Sequence, residues 1–568
     1  MVGKPTLDDV DFDAEELSGP RIDRRTTMKL LGLAGASSLA GCTGGGGGTD
    51  SPTETSGDGG GDSDDDTDAS PSSDRAGGRL SAGWGLQETG RLLPHFTGST
   101  SISNLGQNMF TSLVRLNQNF EYEGYLAEDW TVENDGQRYV FDLREGVQFH
   151  GDYGEVTAED VVWTMQYIRD MEYRKWPANF AGVIRPLDDN GAIAVDDYTL
   201  ELNFRQPFAT ILTALRKGEG TGVLCKEAVD EMGDEAYATK PVGSGPFMIT
   251  EHVVDSSVTM DANPDFFLED EDGNQLPYLD GVDFFLTPEA QSNLNALKAG
   301  DIDYLQSPNE SLVAQIESDN NLNLGEIPGL NWQGVGFNQK RDPLGERDFR
   351  LAIAKAIDRE EFIEDTWNGT AVPGIGPIPP SQGFWYNEDK STTQETDQEE
   401  AHRILEENGW KGTTFECMIW PGSGRWPRML RRHLEPFDIT VEPNVVPSTT
   451  FSEKKQNDNF DSYFPGFYGF ADPDTLNVLY HSEGDWNHWN HWESDRFDEL
   501  WEEQRRTLDR EERRDKIWEA ENILIDEVAS VYLVHQNDIM AWNDGMVRGF
   551  DDGWFPNQRR LENVWIDE

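Results

Sequence analysis

At 568 residues the chain is too long for one ordinary hydrophobic core, so at least two packed lobes are expected. Its 107 acidic against 46 basic residues give a formal charge of -61, which excludes nucleic acid as a partner, since phosphate binding needs clustered Lys and Arg. With 18 Trp, 28 Phe and 15 Tyr there is ample core material, so the charge belongs on the surface of a folded body. That surface repels itself in dilute buffer and is screened at molar salt, and salt adaptation is the economical reading. The three cysteines, Cys42, Cys225 and Cys417, cannot build a disulfide framework and form no Cys-x-x-Cys pair for zinc. Cys225 and Cys417 read as inert buried thiols.

The first segment places Arg24-Arg25 before an apolar run from Leu30 to Ala40, then Leu39-Ala40-Gly41-Cys42. A basic start, a short apolar stretch and small residues before a cut site read as a secretory signal over 1–41. The run is about half the roughly 20 residues a spanning helix needs. Arg24 to Lys29 resembles a twin-arginine export signal, and Leu39 to Cys42 resembles a lipobox, which implies lipid on the Cys42 sulfur. Residues 42–78, rich in Gly, Ser, Thr and Asp, cannot bury apolar area and read as a flexible tether.

Beyond Arg79 strands and helices mix, which predicts an α/β body. Arg138 to Leu143 alternates like a half-buried strand. Thr157 to Asp160 opens a helix, with Thr157 as N-cap, Asp160 reaching back, and Val161, Met165 and Ile168 on the apolar face. Asp348 is expected to cap a helix bearing Phe349, Ala352, Ile353, Ala356 and Ile357. A further helix runs through Ala401, Ile404 and Leu405 and stops at Gly409. Asp509 and Glu512 open a late helix with Ile517, Ala520 and Leu524 inward, followed by a strand from Val531 to Val534.

Six segments resemble one family in order along the chain. Leu126-Ala127-Glu128-Asp129-Trp130, Phe141 to His150 and Thr157 to Val161 form the most specific of them. Pro241 to Phe247, Asn295 to Asp303, Phe349 to Arg359, Asp472-Pro473-Asp474 and Phe497 to Leu500 follow. Together they resemble the extracellular solute-binding protein family 5, the dipeptide and oligopeptide binders of ABC importers. The resemblance implies a two-lobe, hinged, periplasmic-binding-protein-like fold of class II, from the large cluster with an extra domain in the first lobe. Lobe 1 is expected over 79–330, with 537–568 returning to it, and lobe 2 over 331–536. Taken alone, the residues are bland: His150 at a strand end reads as structural, and Gly243-Ser244-Gly245 as a tight turn before a strand.

In such a fold the lobes close on a small-molecule ligand without altering it. Peptide binders of the family anchor the ligand's amine with an Asp after a Gly-Trp-like strand end. Here that run is Gly466 to Pro473, and the anchoring position falls on Phe470, with Asp472 a substitute or a turn residue. Cleft candidates are Trp84, Gln87, Trp332, Trp420, Phe467, Tyr468, Phe470, Asp472, Trp486 and Trp489. Aromatic faces suit sugars as well as apolar side chains, so an oligosaccharide competes with a peptide as ligand. His488 and His491 have a metal-compatible spacing but no carboxylate or Cys nearby at ligand spacing, so no metal and no cofactor is expected. The expected partners are ABC permease subunits and, through the lipid, the outer face of the cell membrane, with the chain a monomer. An extracellular hydrolase is the rival class, but the sequence has no Gly-x-Ser-x-Gly and no His-Glu-x-x-His.

Overall fold

Arg79-Leu80-Ser81-Ala82-Gly83-Trp84 sends Leu80, Ala82 and Trp84 into a core, and this strand is the centre of the first of two large sheets. It pairs in parallel with Gly281–Leu286 on one side and Tyr304–Gln306 on the other. The full order is Leu322–Ile327, Asp538–Asn543, Tyr304–Gln306, Arg79–Trp84, Gly281–Leu286, Ser257–Ala262, Phe247–Val253. These strands belong to a computed structural model that describes Arg75 and residues 77–84, 90–96, 100–117, 121–170, 187–215, 222–287, 289–420, 423–464, 466–467, 472–550 and 560–567. All of them fall in the compact unit Ser72–Glu568. The predicted signal, Cys42 and all of the predicted tether except Arg75, Gly77 and Gly78 lie outside the described residues.

The second large sheet runs Ala371–Pro373, Val531–Gln536, Trp332–Phe337, Ser462–Tyr463, Thr414–Ile419, Thr440–Val445, with Gly466–Phe467 pairing off Trp332–Phe337. Thr414–Ile419 pairs in parallel with both of its neighbours. Each sheet has its own buried cluster. The largest is built from side chains up to Tyr304 or from Met540 onward, and the two that cover the second sheet run from Trp332 to Val534. A fold of two α/β lobes follows, because neither sheet shares its main core with the other.

The chain passes between the sheets twice, from Ile327 to Trp332 and from Gln536 to Asp538, and the two passages touch. A Cβ on Gly329 would lie 2.0 Å from the Gln536 carbonyl oxygen, so only glycine permits this approach. The Gln536 amide donates to Asn331 Oδ1 at 3.0 Å, and the Gln536 side chain donates to Glu310 Oε1 at 2.7 Å. A third, four-stranded antiparallel sheet has the order Ala127–Glu133, Arg138–Leu143, Thr199–Phe204, Leu187–Ala194. It shares the first lobe's core and is the extra domain of that lobe.

Helix ends follow local chemistry. Asp160 accepts from both the Thr157 amide and its hydroxyl at 2.9 Å, opening Ala158–Asp170. Asp397 caps Gln398–Glu407, and Gly409 at φ 70° ends it. Asp509 caps Arg510–Asp526 by accepting from the Glu512 amide at 2.9 Å. The Asp348 expectation needs correction: the helix is Arg347–Ala356, its N-cap is Glu346 with no side-chain bond, and Asp348 lies in the first turn paired to Arg347. The apolar spacing located that helix correctly, but the acidic residue is displaced two positions inward, where it complements the helix dipole.

Candidate functional site

Open α/β sheets hold ligands beyond the carboxyl ends of their strands. Trp84 ends the central strand of the first sheet, and Trp420 follows the last residue of Thr414–Ile419 in the second. Trp84 is 2% exposed with its ring 5.4 Å from Phe284, and its buried indole N–H has no hydrogen-bond partner among the described residues. Trp420 is half-buried, edge-on to Phe451 at 5.6 Å. Trp486 and Trp489 stack at 4.6 Å with their planes 4° apart, and Trp489 meets Tyr463 edge-on at 6.1 Å. The fold therefore gathers Trp420 and Trp489 onto one aromatic cluster with Phe451 and Tyr463.

Trp332 goes elsewhere. It is 1% exposed, with Tyr480 and Tyr532 centroids at 6.4 and 4.8 Å, and helps build the core of the second lobe. Phe467 pairs its backbone with Trp332. Gln87, Tyr468, Phe470, Arg24 and Arg25 lie outside the described residues.

A buried lysine that sequence reasoning missed lies within the aromatic cluster. Lys455 is 1% exposed, with its ammonium 3.0 Å from the Trp489 ring centroid, 3.9 Å from Phe451 and 4.7 Å from Tyr463. Its Nζ has no hydrogen-bond partner among the described residues, and burial pulls its pKa well below the usual lysine range. The sequence signal was faint: a lysine in Ser448–Gln456, four residues after Phe451 and so on the same helix face.

Asp472 is bound within its own lobe. Arg513 donates to both its carboxylate oxygens at 2.6 Å, and the two side chains are 4% and 6% exposed. Asp472 also accepts from the Asp474 amide at 2.9 Å, opening the short helix Pro473–Leu476. Asp474 in turn binds Arg505 at 2.7 Å and Gln504 at 2.6 Å, and these cationic neighbours hold its carboxyl low against burial. Arg513 Nε donates to Gln504 Oε1 at 2.7 Å, which closes the network.

The other recognisable segments resolve into backbone ties. His150 accepts from the Gly243 amide at Nδ1, 3.3 Å, and donates from Nε2 to the Gly245 carbonyl, 2.9 Å, while burial lowers it to about 4. A Cβ on Gly243 would stand 2.0 Å from the Met109 carbonyl, so the glycine is required there by close approach. Arg350 and Arg359 are buried and make no ion pair among the described residues. Arg350 donates to the carbonyls of Val528, Gly345 and Glu527, and Arg359 to those of Gly374 and Tyr532. Burial lowers each to about 10. The two thiols are buried, Cys225 pushed up to about 11 and Cys417 to about 12.

His491 Nε2 lies 2.6 Å from Asp458 Oδ1, and the His488 ring lies edge-on to Trp489. Among the described residues no group of three or more His, Cys, Asp or Glu could hold a metal. No described helix is long and apolar enough to cross a membrane.

One cavity, of about 540 Å³, opens where the small sheet of the first lobe meets the helices of the second. Tyr122, Trp130 and Tyr139 wall it on one side, and Trp385, Asp472, Arg510 and Arg513 on the other.

Residues 121–488, more than half of the chain, match the family model for bacterial extracellular solute-binding proteins, family 5, middle region. A dipeptide-binding protein of Escherichia coli K12 is 25% identical over 438 residues, covering 72% of this chain and 80% of its own. A solved periplasmic binding protein from Helicobacter pylori, associated with an ABC transporter and in complex with the peptide STSA, superimposes with a TM-score of 0.76. It is 23% identical, and the match covers 87% of this chain and 99% of that one. An A. tumefaciens binding protein in complex with agropinic acid has a TM-score of 0.74 at 23% identity, covering 86% and 99%.

Proposed function

The chain belongs to the bacterial extracellular solute-binding proteins, family 5, and from that premise we propose that it captures a peptide between its two lobes and delivers it to an ABC importer. It is a binding protein and not an enzyme, as its relatives are. The observation that carries the reading is the pairing of a match over residues 121–488 with two separately cored sheets joined by two touching passages. That geometry is what hinge closure on a guest requires. The lobe boundaries we assign are 79–330 with 537–568, and 331–536, supported by the passages at 327–332 and 536–538.

The cleft we assign lies beyond the carboxyl ends of the two sheets, with Trp84 and Trp420 at its walls. The second ligand class is an oligosaccharide, favoured by the half-buried indoles of Trp420 and Trp486. The export and anchoring reading rests on Arg24-Arg25 and on Leu39 to Cys42, with the lipidated cysteine holding the body to the outer membrane face by its tether.

A thermal-shift screen in molar KCl tests the function. A true solute raises the melting temperature by mass action, about 2.7 kcal/mol of stabilisation at a hundredfold excess over Kd. Di- to pentapeptides are expected to do so where cello-oligosaccharides do not. A shift with sugars alone replaces the peptide reading, and turnover of any pool member refutes the binding-protein reading.

A further inference from the structure

Of the cleft candidates the 540 Å³ cavity shares only Asp472, which Arg513 already holds, and it is lined by none of Trp84, Trp332, Trp420, Trp486 or Trp489. Its volume is that of a small-molecule site. Its walls come from both lobes, which meet here directly: the Ala209 amide donates to the Arg505 carbonyl at 2.7 Å, and Leu508 packs against Gly136.

Two features of the lining point to a ligand. The first is exposed apolar surface: Val132 and Leu508 both line the cavity, and they are 46% and 45% exposed in a chain whose surface is otherwise heavily charged. The second is Arg510. The neighbouring Arg513 is fully paired by Asp472, but Arg510 makes no ion pair among the described residues, although acidic residues outnumber basic ones 107 to 46. Its guanidinium is held over the Phe384 ring at 4.1 Å, which fixes its plane while leaving its donors free for a bidentate partner. Arg510 is also the first residue of the helix Arg510–Asp526, whose dipole adds positive potential at the same place.

We propose that this cavity is a second binding site, which takes a small amphipathic acid: an aromatic or aliphatic body among Tyr122, Trp130 and Trp385, and a carboxylate on Arg510. No amine is required, because the one buried carboxylate in the lining, Asp472, is already saturated by Arg513. Since the walls belong to different lobes, an occupant stabilises the form in which the lobes are together.

N-acetyl-L-phenylalanine and N-acetyl-L-phenylalaninamide, titrated calorimetrically into the full chain at the lowest salt that keeps it folded, test the site. The acid binds at least about tenfold more tightly than the amide, and the difference shrinks as KCl is added. Arg510→Gln brings the acid down to the amide's affinity while leaving the melting temperature of the free protein unchanged, as expected for an exposed side chain. Equal binding of acid and amide, binding of neither, or an Arg510→Gln protein that holds the acid as tightly as before would each overturn the proposal.

Discussion

Asp472→Asn separates two roles for the acidic residue that follows the Gly466–Phe467 strand. In the structure both Asp472 oxygens accept from Arg513 at 2.6 Å, with almost no solvent at either group. An amide presents one acceptor and one donor to that fork, so the substitution leaves a buried guanidinium partly uncompensated, which costs about 3–5 kcal/mol. Asp474 lies close enough to Arg513 to offset part of this, and Asn still caps Pro473–Leu476, so the lower figure is the better expectation. About 3 kcal/mol lowers the melting temperature of a lobe of roughly 200 residues by ~6–12 °C. Scanning calorimetry in molar KCl without solute reads this directly. The double variant Asp472→Asn with Arg513→Met removes the orphaned charge and regains at least half of the loss. If Asp472→Asn melts like the parent chain yet loses solute affinity, the residue is a ligand anchor and the buried-pair argument is wrong.

Two further expectations concern pH. Glu521 is buried 3.6 Å from Lys390, and burial pushes its carboxyl up to about 7 from an ordinary 4.5. Between those values the folded chain holds a proton that the unfolded chain has released, so stability falls as pH rises through the window, by at most ~1.4 kcal/mol per unit. Denaturant titrations at pH 5, 6 and 7 should show this fall in the parent and not in Glu521→Gln. Lys455 has the opposite sign: below about 10.4 the unfolded chain takes up a proton that the folded chain resists, so stability climbs with pH above neutrality. Lys455→Met should be more stable than the parent at pH 7 by about 1 kcal/mol or more, with the gap narrowing towards pH 9.5; a constant gap would mean the ammonium is charged and satisfied by its rings.

Much of the second lobe was legible because its elements obey local rules. Gly409, and Asp509 with Glu512, mark helix ends in the sequence and occupy those ends in the structure, while the Asp397 cap went unread. Asp348 misled because an acidic residue is equally welcome at the cap and in the first turn, and only backbone geometry distinguishes them. Trp332 was ambiguous for a different reason. An indole faces core and cleft with the same chemistry, and its burial between Tyr480 and Tyr532 depends on strands that pair some 200 residues apart in sequence. Lys455 was invisible for the same cause: its aromatic surroundings come partly from its own helix, partly from a strand and partly from the Trp486–Trp489 turn.

The residues that made the family recognisable are mostly taken up by buried structural ties. His150 ties a strand end to the Gly243–Gly245 turn, Arg350 and Arg359 collect carbonyls from distant loops, and Asp472 and Asp474 brace three helices. Each satisfies buried backbone or buried charge at a junction that the fold cannot form otherwise, so replacing one costs stability whatever the ligand is. Ligand choice obeys no such constraint. It depends on side chains that line a cleft, which packing does not fix in the same way. Motifs therefore report the ties that hold the fold, whereas the solute is set by positions that packing leaves free to change.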